Sequence, residues 1–130
     1  MVEDTIETAA GDVLVVEDDS DLRNALTWLF EDERIPLRLA ANGSEALSLI
    51  AASTPALVLL DLSMPGMSAE ELVSRLRAQM ATARIPIIVL SAARDVTARA
   101  QQLGAQGAIA KPYDLDALLA AVREHISPNH

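Results

Sequence analysis

The sequence predicts an α/β domain with a doubly wound, five-stranded parallel sheet and helices on both faces. Two features of the chain lead to this fold class. Short, continuous apolar runs rich in β-branched residues alternate with longer stretches in which apolar residues recur at helical spacing. In addition, the chain has 130 residues, of which 51% are hydrophobic, so we expect one domain with a substantial core. Right-handed crossovers between parallel strands then place helices on both faces.

Three strongly apolar runs predict the central strands of this sheet. They cover residues 13–16, 57–60 and 87–90, and each is apolar throughout, as expected of strands buried on both faces. Residues 37–40 and 108–110 are less hydrophobic and suit the two edges. Three strong strands flanked by two weak ones favour the spatial order 2-1-3-4-5.

Apolar residues at helical spacing predict one helix after each strand. Ser68 and Glu71 have the spacing of a capping box at the start of the third helix, Gly104 suits the end of the fourth, and Asp114 suits the cap of the fifth. The apolar faces, from the first helix to the fifth, consist of Leu22, Ala25, Leu26, Leu29 and Phe30; Ala46, Leu47 and Ile50; Leu72, Val73, Leu76 and Met80; Val96, Ala100 and Leu103; and Leu115, Leu118, Leu119, Val122 and Ile126.

Composition excludes several classes of function. The net charge of -9 disfavours direct binding to nucleic acid or anionic membranes, and no run approaches the roughly 20 apolar residues of a membrane helix. The absence of cysteine excludes disulfides and thiol chemistry. Residues 1–11 lack the basic residues of a secretory signal, so we expect a cytoplasmic domain over residues 12–126 with flexible tails at 1–11 and 127–130.

Polar side chains follow the strands at their carboxyl ends, where open α/β sheets bind ligands. Carboxylates crowded at one edge repel each other unless a cation lies among them, and oxygen ligands suit Mg²⁺. A lysine ammonium suits a phosphoryl oxygen, and a hydroxyl can donate to it. The residues indicate a phosphoryl-transfer site with a carboxylate nucleophile. In chain order they are Glu17, Asp18, Asp19, Asp61, Ser91 and Lys111.

Four motifs, in order and on the expected elements, give the chain a clear resemblance. They are VVEDD at 15–19, LLDLSMPGM at 59–67, LSA at 90–92, and the segment from Gly-Ala to Lys-Pro-Tyr at 104–113. Over roughly residues 12–126 the chain resembles the receiver domain of bacterial two-component response regulators, in particular the chemotaxis-type single-domain receivers. The resemblance implies the flavodoxin-like (βα)5 fold and a cytoplasmic phosphoprotein of a two-component system.

The resemblance also implies a Mg²⁺ site. Asp18 would contact the ion directly and Glu17 through water, because the acidic pair of the family immediately follows the apolar strand. Asp61 and the backbone carbonyl of Ser63 would complete the protein ligands. Asp19 falls outside the pair and is predicted to cap the first helix or to be a solvated charge.

The roles of the remaining site residues are implied in the same way. Asp61 would accept a phosphoryl group from a phosphohistidine, Ser91 would hydrogen-bond that group and move when it arrives, and Lys111 would pair with it. The bond between Lys111 and Pro112 is predicted to be cis. The domain would catalyse only its own phosphorylation and dephosphorylation, so it is not an enzyme in the usual sense.

Three positions depart from the pattern of the family. Ala108 stands where most receivers have an aromatic residue that swings inward on activation, the segment between Ser91 and Gly104 is short, and Ala69 replaces a common glycine. The resemblance implies that phosphorylation changes the face formed by the fourth helix, fifth strand and fifth helix. The candidate residues of this partner-docking face are Arg94, Arg99, Gln102, Ala108 and Tyr113.

The implied partners are a sensor histidine kinase or phosphotransfer protein and a downstream protein, with a monomer or a phosphorylation-dependent dimer. No DNA-binding effector is attached in this chain, which fits a stand-alone receiver or a piece of a longer regulator. Two alternatives stay open. In a degenerate pseudo-receiver, Lys111 would only neutralise Asp61 in a binding module. In a haloacid-dehalogenase-type phosphatase, Asp19 and Asp21 would form the D-x-D motif.

Overall fold

The computed structural model describes residues 11–92, 94 and 96–126 as alternating strands and helices. The predicted tails at 1–11 and 127–130 lie outside the described residues except for Gly11. The elements are β1 Val13–Val16, α1 Ser20–Asp32, β2 Leu37–Ala40, α2 Gly43–Ala52, β3 Leu57–Asp61, α3 Ala69–Arg77, β4 Ile87–Ser91, α4 Val96–Leu103, β5 Gly107–Ala110 and α5 Leu115–Ile126.

The five strands form one parallel sheet in the order β2-β1-β3-β4-β5, which confirms the predicted fold class and strand order. The three strongly apolar strands occupy the centre, and every residue of β1, β3 and β4 is buried. The two weaker strands lie at the edges of the sheet that the described residues form. The order reverses between β1 and β3, so this is the position where such sheets bind ligands.

Alternate residues of each central strand pack on opposite faces of the sheet. In β3, Val58 and Leu60 face the side covered by α2, α3 and α4, whereas Leu57 and Leu59 face α1 and α5. Phe30 of α1 is fully buried on the second face. The core is therefore divided in two by the sheet, and both halves consist almost entirely of aliphatic side chains.

The helix ends follow the predicted capping residues. Asp19 caps α1 by accepting from the backbone N–H of Asp21, and Ser68 caps α3 by accepting from the N–H of Glu71. Gly104 follows α4 with a φ of 77°, the left-handed conformation that glycine adopts without strain. Asp114 accepts from the N–H of Asp116 at the start of α5.

The predicted apolar face of the third helix is wrong at one residue. Met80 has the correct helical spacing, but α3 ends at Arg77 and the Met80 side chain is 97% exposed. The guanidinium of Arg77 donates to the carbonyls of Ala83 and Ile85, and the Thr82 hydroxyl donates to the carbonyl of Leu76. These bonds stabilise a turn in place of another helical turn.

Candidate functional site

Three carboxylates meet at the carboxyl ends of the central strands. One oxygen from each of Glu17, Asp18 and Asp61 lies within 4.8 Å of the others. Glu17 and Asp61 are 1% and 2% exposed, whereas Asp18 is exposed to solvent. The backbone N–H of Glu17 donates to the carbonyl of Ala40 at 2.9 Å, which extends the ladder between β1 and β2 and fixes where the acidic pair begins.

Lys111 bridges the two buried carboxylates. Its Nζ lies 3.0 Å from Oε1 of Glu17 and 3.2 Å from Oδ2 of Asp61. The backbone N–H of Lys111 donates to the carbonyl of Ser91 at 2.8 Å, so β4 positions the start of the loop that carries the ammonium. The following peptide bond, to Pro112, is cis as predicted. Residues far apart in sequence thus meet at one edge of the sheet.

The loop after β1 arranges Glu17 further. The backbone N–H of Asp19 donates to Oε2 of Glu17 at 3.2 Å, and the guanidinium of Arg23 donates to the backbone carbonyl of Glu17 at 2.8 Å. The carboxylate of Asp19 itself accepts from the first turn of α1. Asp19 therefore serves the helix, as predicted, and the acidic cluster consists of Glu17, Asp18 and Asp61.

The loop after β3 holds the carboxylate of Asp61 from the other side. The backbone N–H of Ser63 donates to Oδ1 of Asp61 at 3.0 Å, while Oδ2 faces Lys111. The loop passes through Gly66, whose φ of 75° requires a residue that tolerates the left-handed region, and reaches the Ser68 cap of α3. Each oxygen of Asp61 therefore already has a donor.

Burial and the neighbouring charged groups change the acidity of this site. Burial and a hydrogen bond with Asp61 raise the pKa of Glu17 to about 7, although the hydrogen bonds from Lys111 and Asp19 act in the opposite direction. Burial opposes the charge of Lys111, but its hydrogen bond to Glu17 and the charges of Asp61 and Glu17 outweigh burial and raise its pKa. Lys111 therefore stays charged. Its single positive charge balances only part of the negative charge that the two buried carboxylates carry when both are ionised.

The remaining predicted site residues lie around this cluster. Ser91 ends β4 and is 5% exposed. Arg94 is exposed, and Arg99 of α4 forms an ion pair with Glu70 of α3 at 2.6 Å. Ala108 of β5 is half-buried against the core under α2, α3 and α4.

The buried hydroxyl of Tyr113 is the feature that the sequence did not reveal. Tyr113, which was predicted for the partner-docking face, follows β5; its ring packs on the half of the core under α1 and α5, and its hydroxyl oxygen is buried. Its position, two residues after Lys111, was the signal that it lies near the site.

The donor set fits a hard divalent cation. Each of the three acidic residues offers a carboxylate oxygen to a common centre, and Asp18 is open to solvent, which leaves room for the waters that Mg²⁺ retains. Burial and then the hydrogen bond with Asp61 raise the pKa of Glu17, so its ionised form is costly here and a cation would stabilise it. The ammonium of Lys111 lies beside the carboxylate of Asp61, and the buried Ser91 ends β4, the strand next to β3.

The fold and the site together define a doubly wound α/β domain with an acidic, lysine-containing site where its strand order reverses. The chain belongs to the response regulator receiver domain family, whose sequence profile matches residues 13–123. Family membership and the fold confirm the resemblance found in the sequence. None of the helices within the described residues has the length and composition to cross a bilayer.

Individual relatives are similar over most of the chain. Sporulation initiation phosphotransferase F of Bacillus subtilis is 32% identical over 114 residues, which cover 88% of this chain and 92% of that protein. The DNA-binding transcriptional regulator NtrC of Salmonella typhimurium is 34% identical over 119 residues, which cover 90% of this chain and 25% of the regulator.

Solved structures agree with this assignment. The receiver domain of a signal transduction histidine kinase from Syntrophus aciditrophicus superposes with a TM-score of 0.82 at 28% identity, covering 92% of each chain. The receiver domain of the Francisella response regulator 1452 gives 0.81 at 26% identity, covering 92% of this chain and 99% of that one.

Proposed function

We propose that this receiver is a phosphorylatable switch in which Asp61 accepts a phosphoryl group from the phosphohistidine of a histidine kinase or phosphotransfer protein. The observation that carries the proposal is the pair of contacts made by Lys111, which places one ammonium between the carboxylates of Glu17 and Asp61. A charge in that position neutralises the oxyanion that develops as a phosphoryl group approaches.

In the proposed reaction, an oxygen of Asp61 attacks phosphorus in line with the bond to the donor nitrogen. The new oxygen–phosphorus bond forms as the nitrogen–phosphorus bond breaks, and the leaving histidine retains the bonding electron pair. Oδ2 of Asp61 is the oxygen beside Lys111, whereas Oδ1 is held by the N–H of Ser63. The Ser63 contact orients the carboxylate, and Lys111 and the hydroxyl of Ser91 receive the phosphoryl oxygens.

The proposed metal site consists of Glu17, Asp18, Asp61 and the backbone carbonyl of Ser63, with Glu17 acting through water. Mg²⁺ bound there would neutralise charge on the transferring phosphoryl group. The chain's own contribution is to hold the three carboxylates within 4.8 Å of each other despite their repulsion, through the backbone ladder of the sheet and the contacts of Lys111.

For the output, we propose that the acyl phosphate draws Ser91 inward and shifts the face of α4, β5 and α5, to which a downstream protein docks. Arg94 and Arg99 are the exposed and partly exposed cations on the side of α4, and Ala108 is the half-buried residue of β5 beneath that helix. Movement of α4 would break the ion pair between Arg99 and Glu70 and release Arg99 for a partner.

The experiment is phosphorylation by acetyl phosphate with and without Mg²⁺, followed by mass spectrometry and peptide mapping of the trapped acyl phosphate. We expect Mg²⁺-dependent addition of one phosphoryl group on the peptide that contains Asp61 and none in Asp61→Asn. Glu45→Gln is the matched control, because Glu45 is an exposed carboxylate at the start of α2. A label on another residue would refute the proposal.

A pseudo-receiver is the second candidate, because Lys111 already neutralises Asp61 in the structure. Isothermal titration with Mg²⁺ and beryllium trifluoride, a phosphoryl analogue, separates the two functions. A switch binds the analogue only when Mg²⁺ is present and loses it in Asp61→Asn. A pseudo-receiver binds neither, and Asp61→Asn then changes only its stability.

A further inference from the structure

The hydroxyl of Tyr113 lies buried beside the site without a hydrogen-bond partner among the described residues. The Tyr113 ring packs against the half of the core that lies under α1 and α5, which includes Leu26 and Leu118. Because a buried hydroxyl loses its hydrogen bonds to water, one without a protein partner destabilises the fold. The Tyr113 hydroxyl would therefore stabilise the protein only in a state of the site that gives it a hydrogen-bond acceptor.

The surrounding charges define what this hydroxyl can do. Burial and then the negative charge of Glu17 raise the pKa of Tyr113 to about 12, with smaller contributions of the same sign from Asp61 and Asp19 and an opposing one from Lys111. The hydroxyl is therefore protonated at any physiological pH and lies in a negative potential. A neutral O–H in that potential is a donor for a carboxylate.

Glu17 is the carboxylate whose bonding must change when the site is loaded. In the structure its Oε1 accepts from Lys111 and its Oε2 accepts from the N–H of Asp19. A phosphoryl group on Asp61 brings additional negative oxygens to Lys111. The ammonium of Lys111 then hydrogen-bonds to these oxygens and less strongly to Glu17. The carboxylate is 1% exposed, so bulk water cannot replace the lost donor easily. Because a carboxylate has about four lone-pair sites, it can accept from another donor even beside a water held by Mg²⁺.

We propose that the Tyr113 hydroxyl donates a hydrogen bond to the Glu17 carboxylate when Asp61 carries a phosphoryl group. Tyr113 is thereby a positioning residue, which holds Glu17 in place while Lys111 turns to the phosphoryl oxygens. This inference rests on the proposed function of Asp61. The Tyr113 hydroxyl has no acceptor among the described residues of the resting domain, and in the loaded domain Glu17 has lone pairs that Lys111 no longer occupies. One hydrogen bond would pair the two groups.

The test is Tyr113→Phe, which removes the hydroxyl and retains the ring. We expect the unloaded variant to be at least as stable to urea as the wild type, because no hydrogen bond is lost. In the presence of Mg²⁺, we expect beryllium trifluoride to bind about 3- to 10-fold more weakly, the value of one hydrogen bond. The Tyr113 ring carbon that bears the hydroxyl should shift in the NMR spectrum of the wild type on loading.

The control is Thr82→Val, which removes a buried hydroxyl that has a partner and lies at the other end of the strands, before β4. We expect it to lower stability and leave the affinity for beryllium trifluoride unchanged. Equal affinities of the wild type and Tyr113→Phe would overturn the inference alone, as would a less stable unloaded Tyr113→Phe. A wild type that binds no beryllium trifluoride would overturn the proposed function and this inference with it.

Discussion

The charge on Glu17 should make the metal-free protein less stable as the pH rises, and Glu17→Gln should abolish this loss. Glutamine has nearly the same shape as glutamate, carries no charge, and can donate its amide to Asp61 as a protonated Glu17 would. In the wild type the pKa of Glu17 rises from 4.5 to about 7, first because of burial and then because of its hydrogen bond with Asp61.

The magnitude and sign follow from this shift. Between pH 4.5 and about 7 the folded protein retains a proton on Glu17 that the unfolded chain has lost, so the free energy of unfolding decreases through this interval and is constant above it. At about 1.4 kcal/mol per pKa unit, the loss is on the order of 3 kcal/mol. Glu17 is 1% exposed, so screening by water reduces this value little.

The assay is urea denaturation of the wild type and Glu17→Gln at several pH values from 4.5 to 8, with chelator present. The difference between the two proteins isolates Glu17 from the other carboxylates. We expect the difference to grow in favour of Glu17→Gln as the pH rises and to shrink when Mg²⁺ is added, because the ion stabilises the charged wild type. A difference that does not change with pH would refute the argument from the raised pKa of Glu17.

Three further substitutions test other parts of the structure. Lys111→Met should strengthen Mg²⁺ binding, since it removes a competing cation, and should slow phosphorylation of Asp61 by about 100-fold. Slower phosphorylation without tighter Mg²⁺ binding would contradict this expectation. Leu59→Ala removes a fully buried side chain and should lower the free energy of unfolding by about 2–5 kcal/mol in urea, and a smaller loss would mean that the core collapses around it. Ala108→Tyr should cost about 1–3 kcal/mol by overpacking the space under α4 and enlarge the NMR shifts of α4 on phosphorylation, and unchanged shifts would contradict that coupling.

Much of the fold was predictable because its physical determinants are local in sequence. A short run such as 57–60, apolar at every position, fits a strand covered on both sides, and the charge at Asp61 marks the end of that strand. Which half of the core each residue enters was not predictable. Leu59 and Leu60 are identical in type, yet they pack under different helices, and only the register of the sheet decides between them.

The candidate site was predictable to the level of its residues but not of its contacts. Parallel strands bring their carboxyl ends to one edge, so Glu17, Asp61 and Lys111 had to lie near each other. That one ammonium contacts both carboxylates depends on side-chain conformations, which no spacing in the sequence determines. The exposure of Met80 was missed for a related reason, because the side chain of Arg77 bonds the carbonyls of the turn that follows.

The buried charges that destabilise the folded protein when the site is empty are the same charges that would bind a ligand. The fold holds two buried carboxylates and an exposed one in one cluster with a single ammonium, and burial together with the neighbouring Asp61 raises the pKa of Glu17. A protein selected only for stability would replace such a cluster by apolar side chains.

Lys111 is the only lysine among ten basic residues, and the others are arginines. A compact ammonium on a flexible stem can contact two carboxylates and turn to a third anion, whereas the rigid fork of a guanidinium matches one carboxylate at a time. The position of that one lysine therefore indicates a site whose partners change.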